Sequence, residues 1–155
     1  MRIYLIRHGE AKPKHEDPDR ALTDRGQAES RKIADFLTPL NLAVSAVWHS
    51  GKTRAAQTAE ILATAVASEN APAARRGLAP LDDVQPLAGE LDHATADHMI
   101  VGHLPFLARL AGALLTGNAD ACPVAFQCST AVCLERDNTI WYLRWALPPN
   151  LLPPA

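Results

Sequence analysis

The chain has 155 residues, enough for one domain with a sizeable core, and a hydrophobic fraction of 48% separates it from disordered polar segments. A formal net charge of -2 supplies no basic surface for non-specific nucleic-acid binding, and no apolar run approaches the roughly 20 residues that span a bilayer. With a charged residue and a strand at the N-terminus in place of an apolar leader, the expectation is a cytoplasmic protein with no nucleic-acid or membrane partner.

An apolar run over 3–6 reads as a strand and breaks abruptly at Arg7, His8 and Gly9. In an open α/β sheet, sites form beyond the carboxyl ends of the strands. A glycine there lets the chain turn and lets a ligand approach the backbone. A cation, an imidazole and a glycine at that spot read as an anion site beside a titratable nucleophile, although three residues alone fit a strand that merely ends in polar groups. A polar loop over 11–21 follows, expected to be solvated and mobile. Thr23 is a plausible N-cap and Asp24 suits a first helical turn. Ile33, Phe36, Leu37 and Leu40 keep helical spacing, so this helix should pack them on the sheet, and Pro39 should end it.

A second strand over 45–48 breaks at His49, Ser50 and Gly51. An alanine-rich helix is expected from near Lys52 to about Ala67. Arg54 falls in its first turn, where a cation is disfavoured unless an anion binds beside it. A short edge strand is expected over 73–76. Asp82 or Asp83 then caps a helix reaching about Leu91, with Pro86 near its start. A strand over 98–101 ends in Gly102 and His103. The next helix, over 106–115, begins after Leu104 and Pro105 and stops at Gly117 and Asn118. Strands over 131–135 and 139–145 flank Arg136, Asp137 and Asn138 as a β-hairpin. The order predicts a three-layer α/β/α fold, with a mostly parallel central sheet and a C-terminal antiparallel hairpin. One domain over 1–147 is followed by a Pro-rich tail, 148–155, laid on the surface or loose.

Cys122, Cys128 and Cys133 are odd in number and lack a short Cys-x-x-Cys pair, so they read as small buried hydrophobes. His93, His98 and His103 are spaced by five, which suits neither a helical ligand pair nor one strand face, so a shared metal site is not expected. Three strand ends remain, carrying Arg7 with His8, Ser50 with Arg54, and Gly102 with His103. In a parallel sheet these ends share one edge. Four potential cations there would repel one another without an anion, and an Arg fork fits phosphate oxygens bidentately. Other phosphoryl chemistries find no support. No Cys is followed six positions later by Arg, Asp17-Pro18-Asp19 lies in a polar loop, and no Gly-rich nucleotide motif is present.

The segments Arg7-His8-Gly9-Glu10-Ala11, Leu22-Thr23-x-x-Gly26, Ser50-x-x-x-Arg54-Ala55-x-Gln57-Thr58-Ala59-Glu60 and Val101-Gly102-His103-x-Pro105 together resemble the histidine phosphatase superfamily. The resemblance runs from residue 1 to about 115, with the hairpin in keeping. Within the superfamily the chain looks like the short bacterial SixA-type protein-phosphohistidine phosphatases. Mutase-like members carry Ser and Asn where this chain has Ala11 and Lys14, and many relatives have Pro where Gly51 stands. The resemblance implies a phosphoglycerate mutase-like fold in which His8 is the nucleophile and a backbone carbonyl holds its other ring nitrogen. Arg7, Arg54 and His103 would join His8 in binding the phosphoryl group, with no metal or other cofactor. Relatives acting on esters use a carboxyl to protonate the leaving oxygen. Asp83 is the candidate, with Asp82 and Glu10 behind it, and the two aspartates serve equally well as helix caps. The implied substrate is a phosphorylated histidine-phosphotransfer domain of a signalling relay, approached by a monomer with an open, shallow site. The alternatives are a phosphatase of small phosphomonoesters (sugar or nucleotide phosphates), which would want a lid, and a non-catalytic phosphoprotein-binding module.

Overall fold

The strand β1 (Arg2–Arg7) alternates between two apolar environments, which is what a strand inside a sheet covered on both faces requires. Ile3 and Leu5 face one core cluster, and Tyr4 and Ile6 face the other. A computed structural model describes residues 1–154, so Ala155, the last residue of the expected tail, lies outside the described residues. The elements that follow are α1 (Asp24–Leu37), β2 (Leu42–Val44), β3 (Ala46–His49), α2 (Thr53–Ala63), β4 (Val66–Ser68) and β5 (Ala73–Ala74). After them come α3 (Gln85–His93), β6 (His98–Gly102), α4 (Phe106–Thr116), β7 (Ala131–Asp137) and β8 (Ile140–Leu147).

The main sheet has the order β5-β3-β6-β1-β7-β8. β6 runs parallel to both β1 and β3, β3 runs parallel to β5, and the β7–β8 hairpin closes the sheet antiparallel against β1. Ile33, Ala34 and Leu37 of α1 cover one face together with Ala55, Ala59 and Leu62 of α2. The other face is covered by Leu87 and Leu91 of α3 and by Phe106, Leu107 and Leu110 of α4. The result is the expected α/β/α layering. No helix among the described residues is long and apolar enough to cross a membrane.

Several local expectations are corrected. The alanine-rich helix ends at Ala63, not near residue 67, because Val66–Ser68 pairs parallel with Leu42–Val44 in a separate two-stranded sheet. Tertiary pairing overrides helix propensity there. Phe36 and Leu40 are nearly half exposed, at 45% and 46%, although Ile33 and Leu37 are fully buried. The α-helix stops at Leu37 and Pro39 sits in a 3-10 turn, which rotates Leu40 off the packed face. The hairpin turn is tighter than expected. Asp137 pairs with Ile140, leaving Asn138, in the left-handed region at φ 56°, and Thr139 as the turn. Arg136 is thereby a strand residue, and its guanidinium donates to the Leu91 and Ala94 carbonyls at the end of α3. Of the cysteines only Cys133 is buried. Cys128 is intermediate and Cys122 exposed. The tail forms a 3-10 turn over Pro149–Leu151, and Leu152, Pro153 and Pro154 line a groove with Phe36 of α1.

The loop over 11–21 is solvated as expected, but it is closed by its own hydrogen bonds. Lys12 N–H donates to the Ala21 carbonyl, and the Asp17 carboxylate accepts from Asp19 N–H and Ala21 N–H. Thr23 caps α1, its hydroxyl oxygen accepting from Gly26 N–H at 2.9 Å. Gly26 also lets the start of α1 press on the chain just past β1. A Cβ added to Gly26 would lie 2.1 Å from the Glu10 carbonyl oxygen, backbone against backbone. Gly26→Ala is therefore expected to destabilise the protein by about 1–3 kcal/mol or more through overpacking. Urea unfolding checks this, and an unchanged midpoint would show that α1 can back away freely.

Candidate active site

The geometry of the site begins with a register. Arg7 at the end of β1 pairs with Gly102 at the end of β6, and His8 N–H donates to the Gly102 carbonyl at 2.9 Å. The residues that follow, His8 and His103, therefore leave the sheet side by side. Their ring centroids are 5.0 Å apart with planes inclined by 52°. The end of β3 lies against β6 on its other side, with His49 opposite Val101, so Ser50 reaches the same edge. The Ser50 hydroxyl lies 2.6 Å from His103 Nε2. Arg54 enters from the first turn of α2, immediately beyond.

Both rings are buried, at 8% and 1% exposure. His8 Nδ1 is 2.7 Å from the Gly9 carbonyl oxygen. A carbonyl can only accept, so the proton belongs on Nδ1 and the lone pair on Nε2. Burial depresses the His8 pKa to about 4, against the pull of the Gly9 carbonyl and with the help of Arg54, Arg7 and Arg20. His103 is pushed to about 3, first by burial and then by His8, Arg54, Lys52 and Arg20. Burial also lowers Arg54 from its ordinary value, with Arg20 adding to the effect. The site thus holds two guanidiniums beside two imidazoles kept neutral.

The support is as specific as the cluster. Thr58, fully buried, accepts from Gly9 N–H at 2.9 Å and donates to the Arg54 carbonyl at 2.8 Å. One hydroxyl so ties the turn after β1 to the turn that carries Arg54. Ser129, at φ 61°, donates its N–H to the Arg7 carbonyl, and its hydroxyl pairs with Ser30 of α1 at 3.0 Å. Arg7 donates through one terminal nitrogen to the Phe126 carbonyl. Arg7 Nε, Arg54 Nε and His103 Nδ1 are buried with no hydrogen-bond partner in the protein. Unpaired buried donors are costly and need an explanation. An oxyanion among these groups would supply acceptors to all of them.

The structure brings Arg7, His8, Arg54 and His103 together and leaves the expected acids outside. The Asp83 carboxylate accepts from Gln85 N–H in the turn before α3 and lines a small cavity with Arg75, Arg76 and Glu90. Asp82 accepts from Ala79 N–H. Glu10 faces Arg25 at 3.6 Å. Among the described residues, none of the three carboxylates hydrogen-bonds or ion-pairs with the four-residue cluster. Each aspartate thus gives one carboxylate oxygen to the turn before a helix with proline in its first turn. Neither aspartate caps the helix in the expected way, since Val84 occupies the N-cap position without a side-chain bond. The other two evenly spaced histidines are elsewhere, His98 bonded to Ser45 at the far end of β6 and His93 at the end of α3. Gly51 adopts φ 90°, which a proline cannot reach, so the Ser50–Arg54 turn differs here from a Pro-containing one. Ser50 lies at the converging strand ends as expected, whereas Thr58 and Arg20 are additions that the sequence reading does not assign to the site. A buried Thr one helical turn after Arg54 was the available signal.

The fold is that of a phosphoglycerate mutase-like α/β protein, with two guanidiniums and two imidazoles gathered at one sheet edge. The sequence profile of the histidine phosphatase superfamily (branch 1) matches residues 3–78, and the chain belongs to that superfamily. An uncharacterized protein of Picosynechococcus sp. is 35% identical over 124 residues, spanning 76% of this chain and 74% of that protein. The solved structure of the protein histidine phosphatase SixA complexed with tungstate is 26% identical, covers 97% of this chain and 99% of its own, and superposes with a TM-score of 0.84. A phosphoserine phosphatase from Entamoeba histolytica, solved with phosphoserine, shares the fold at a TM-score of 0.72 with 13% identity, covering 94% and 95% of the two chains. The chain is a phosphatase of the SixA-like kind.

Because folding holds both rings neutral, stability acquires a pH dependence of known sign. Unfolded imidazoles take up protons below their ordinary pKa of 6.5, and the folded ones do so only near 4 and 3. The unfolded state binds more protons in that window, so stability is complete above about 6.5 and falls as pH drops toward 4. Thermal unfolding between pH 8 and pH 4 should show this decline, and His103→Gln should flatten it. An equally steep decline in that variant would assign the effect to other groups.

Proposed function

We propose that this phosphatase removes the phosphoryl group from phosphohistidine borne by a protein, in the manner of a histidine-phosphotransfer domain in a signalling relay. The observation that carries the reading is the pairing of a fixed, unprotonated His8 Nε2 with two guanidiniums, while Glu10, Asp82 and Asp83 make their polar contacts elsewhere. In this reading Nε2 attacks phosphorus, a phospho-His8 forms, and the P–N bond to the substrate breaks, its electron pair going to a substrate ring protonated on the other nitrogen, which leaves as neutral imidazole. Water then hydrolyses phospho-His8, releasing phosphate and restoring the Nε2 lone pair. Arg7, Arg54 and His103 bind the equatorial oxygens, each such donor worth roughly 3 kcal/mol of barrier as charge spreads. Neutral His8 is the nucleophilic form, and its pKa of about 4 keeps it neutral well below pH 7.

The leaving group favours phosphohistidine over an ester. An alkoxide needs a proton as it departs, and Glu10, Asp82 and Asp83 are all engaged away from the cluster. A phosphohistidine that carries a proton on its other ring nitrogen leaves as neutral imidazole, so the proton an alkoxide would draw from the enzyme is already on the substrate. Similarity to a protein histidine phosphatase that binds tungstate, a tetrahedral oxyanion, supports the same reading. One chain supplies all four groups, so a monomer suffices.

His8→Ala is expected to reduce turnover by roughly a thousand-fold or more, as loss of a nucleophile does, while tungstate still binds. Residual full activity would remove His8 from the mechanism. Asp83→Asn keeps an acceptor for Gln85 N–H, and its rates on a phosphohistidine peptide and on an alkyl phosphate should both stay within about two-fold of wild type. A selective fall on the ester would restore Asp83 as general acid.

A further inference from the structure

Beside the phosphoryl cradle lies an open cleft of about 420 Å³, lined by Lys14, Arg20, Lys52 and Arg54 with Asp19 as its one carboxylate. Four cations to one anion reverse the sign of a chain whose net charge is -2. Arg25, Arg75, Arg109, Arg144 and Arg2 all sit in salt bridges, whereas among the described residues Lys14, Arg20 and Lys52 sit in none. The loop is also built to hold Arg20. Its φ of 52° is a left-handed conformation that a residue with a Cβ avoids. Hydrogen bonds from Arg20 N–H to the Asp17 carbonyl and from Arg20 Nε to the Lys12 carbonyl keep it there. The same cation is felt at His8, His103 and Arg54, so the cleft and the cradle are electrically continuous.

Resting on the phosphohistidine-protein reading, we propose that this cleft docks an acidic stretch of the phosphoprotein beside its modified histidine. A phosphoryl dianion is already matched by Arg7 and Arg54, which leaves three cations without a role in the chemistry. The lining holds no aromatic ring on which a base could stack, and Asp19 opposes a tightly held second phosphoryl group. Lys14 and Lys52 are exposed. Exposed, flexible cations act at a distance on a large partner, raising the encounter rate and fixing its orientation. Carboxylates next to the phosphohistidine are the groups that would profit.

The test uses the full chain and two synthetic peptides phosphorylated on a single histidine with phosphoramidate, one flanked by glutamates and the other by glutamines. At low salt the wild type should favour the glutamate peptide by about ten-fold in kcat/KM, with the preference fading toward 0.5 M salt, where screening is nearly complete. The Lys14→Gln/Lys52→Gln double variant should lose that preference to within about two-fold while hydrolysing the glutamine peptide at the wild-type rate. Equal rates on both peptides with the wild-type enzyme would overturn the docking surface and leave the phosphohistidine reading standing. A double variant slowed alike on both peptides would place the two lysines in the phosphoryl site and overturn it too. Pyrophosphate that competes with wild type but not with the double variant would assign the cleft to a second phosphoryl group instead. Hydrolysis of neither peptide would overturn the phosphohistidine reading, and the docking surface with it.

Discussion

The parallel pairing of β1 with β6 sets the distance between two imidazoles before any side chain touches another. Arg7 lies opposite Gly102, and the ladder continues one step further through His8 N–H and the Gly102 carbonyl. A shift of one residue in that register would turn every side chain of β1 to the opposite face. Ile3 and Leu5 would then meet α1 and α2 in place of α3 and α4. The register of the site is thus protected by the whole core. The position of β1 at the centre of the order, with the crossover from β1 to β3 passing over β6, also puts the cluster where the sheet topology opens a crevice.

A second constraint is the wedge that keeps the turn after β1 in place. A Cβ on Gly9 would meet the Gly26 carbonyl oxygen and Ser30 Oγ, each at 2.9 Å. The same turn is tied to α2 by Thr58 and to the chain before β7 by Ser129. His8 therefore cannot adjust its ring without moving three elements. Such rigidity suits a group that must present one nitrogen in one direction, since positioning is a large part of what a phosphoryl-transfer site can contribute.

Much of this was legible in the sequence because the informative features were local. Strand ends broken by Arg-His-Gly or Gly-His, an N-cap Thr three residues before Gly26, and Pro105 ahead of an apolar helix each carry their own signal. The four groups of the cluster follow from the assumption that parallel strands end on one edge. What could not be read was what depends on distant partners. Val66 belongs to a strand only because Leu42–Val44 lies beside it. Asp83 looks equally suited to catalysis and to a turn, and its bond to the backbone N–H of Gln85 is formed only once that turn is folded. Thr58 reads as one more helical residue until Gly9 is placed against it. Arg20 sat in a stretch expected to be mobile, and nothing local showed that Asp17 would close that loop.

The distribution of charge follows from the same packing. Four carboxylates find partners of their own, Glu10 in Arg25, Asp17 in its own loop, and Asp82 and Asp83 in the turn before α3. The cations are left free. Desolvation then acts on them unequally. An imidazole can shed its proton and does so, whereas a guanidinium cannot and stays charged even where burial lowers its pKa. Gathering four basic groups, two of them buried, thus sorts them into two kinds, permanent cations and neutral rings. A lysine in place of either arginine could escape by losing its proton. That difference, more than hydrogen-bond geometry alone, explains why guanidinium groups suit a partly desolvated site of this kind.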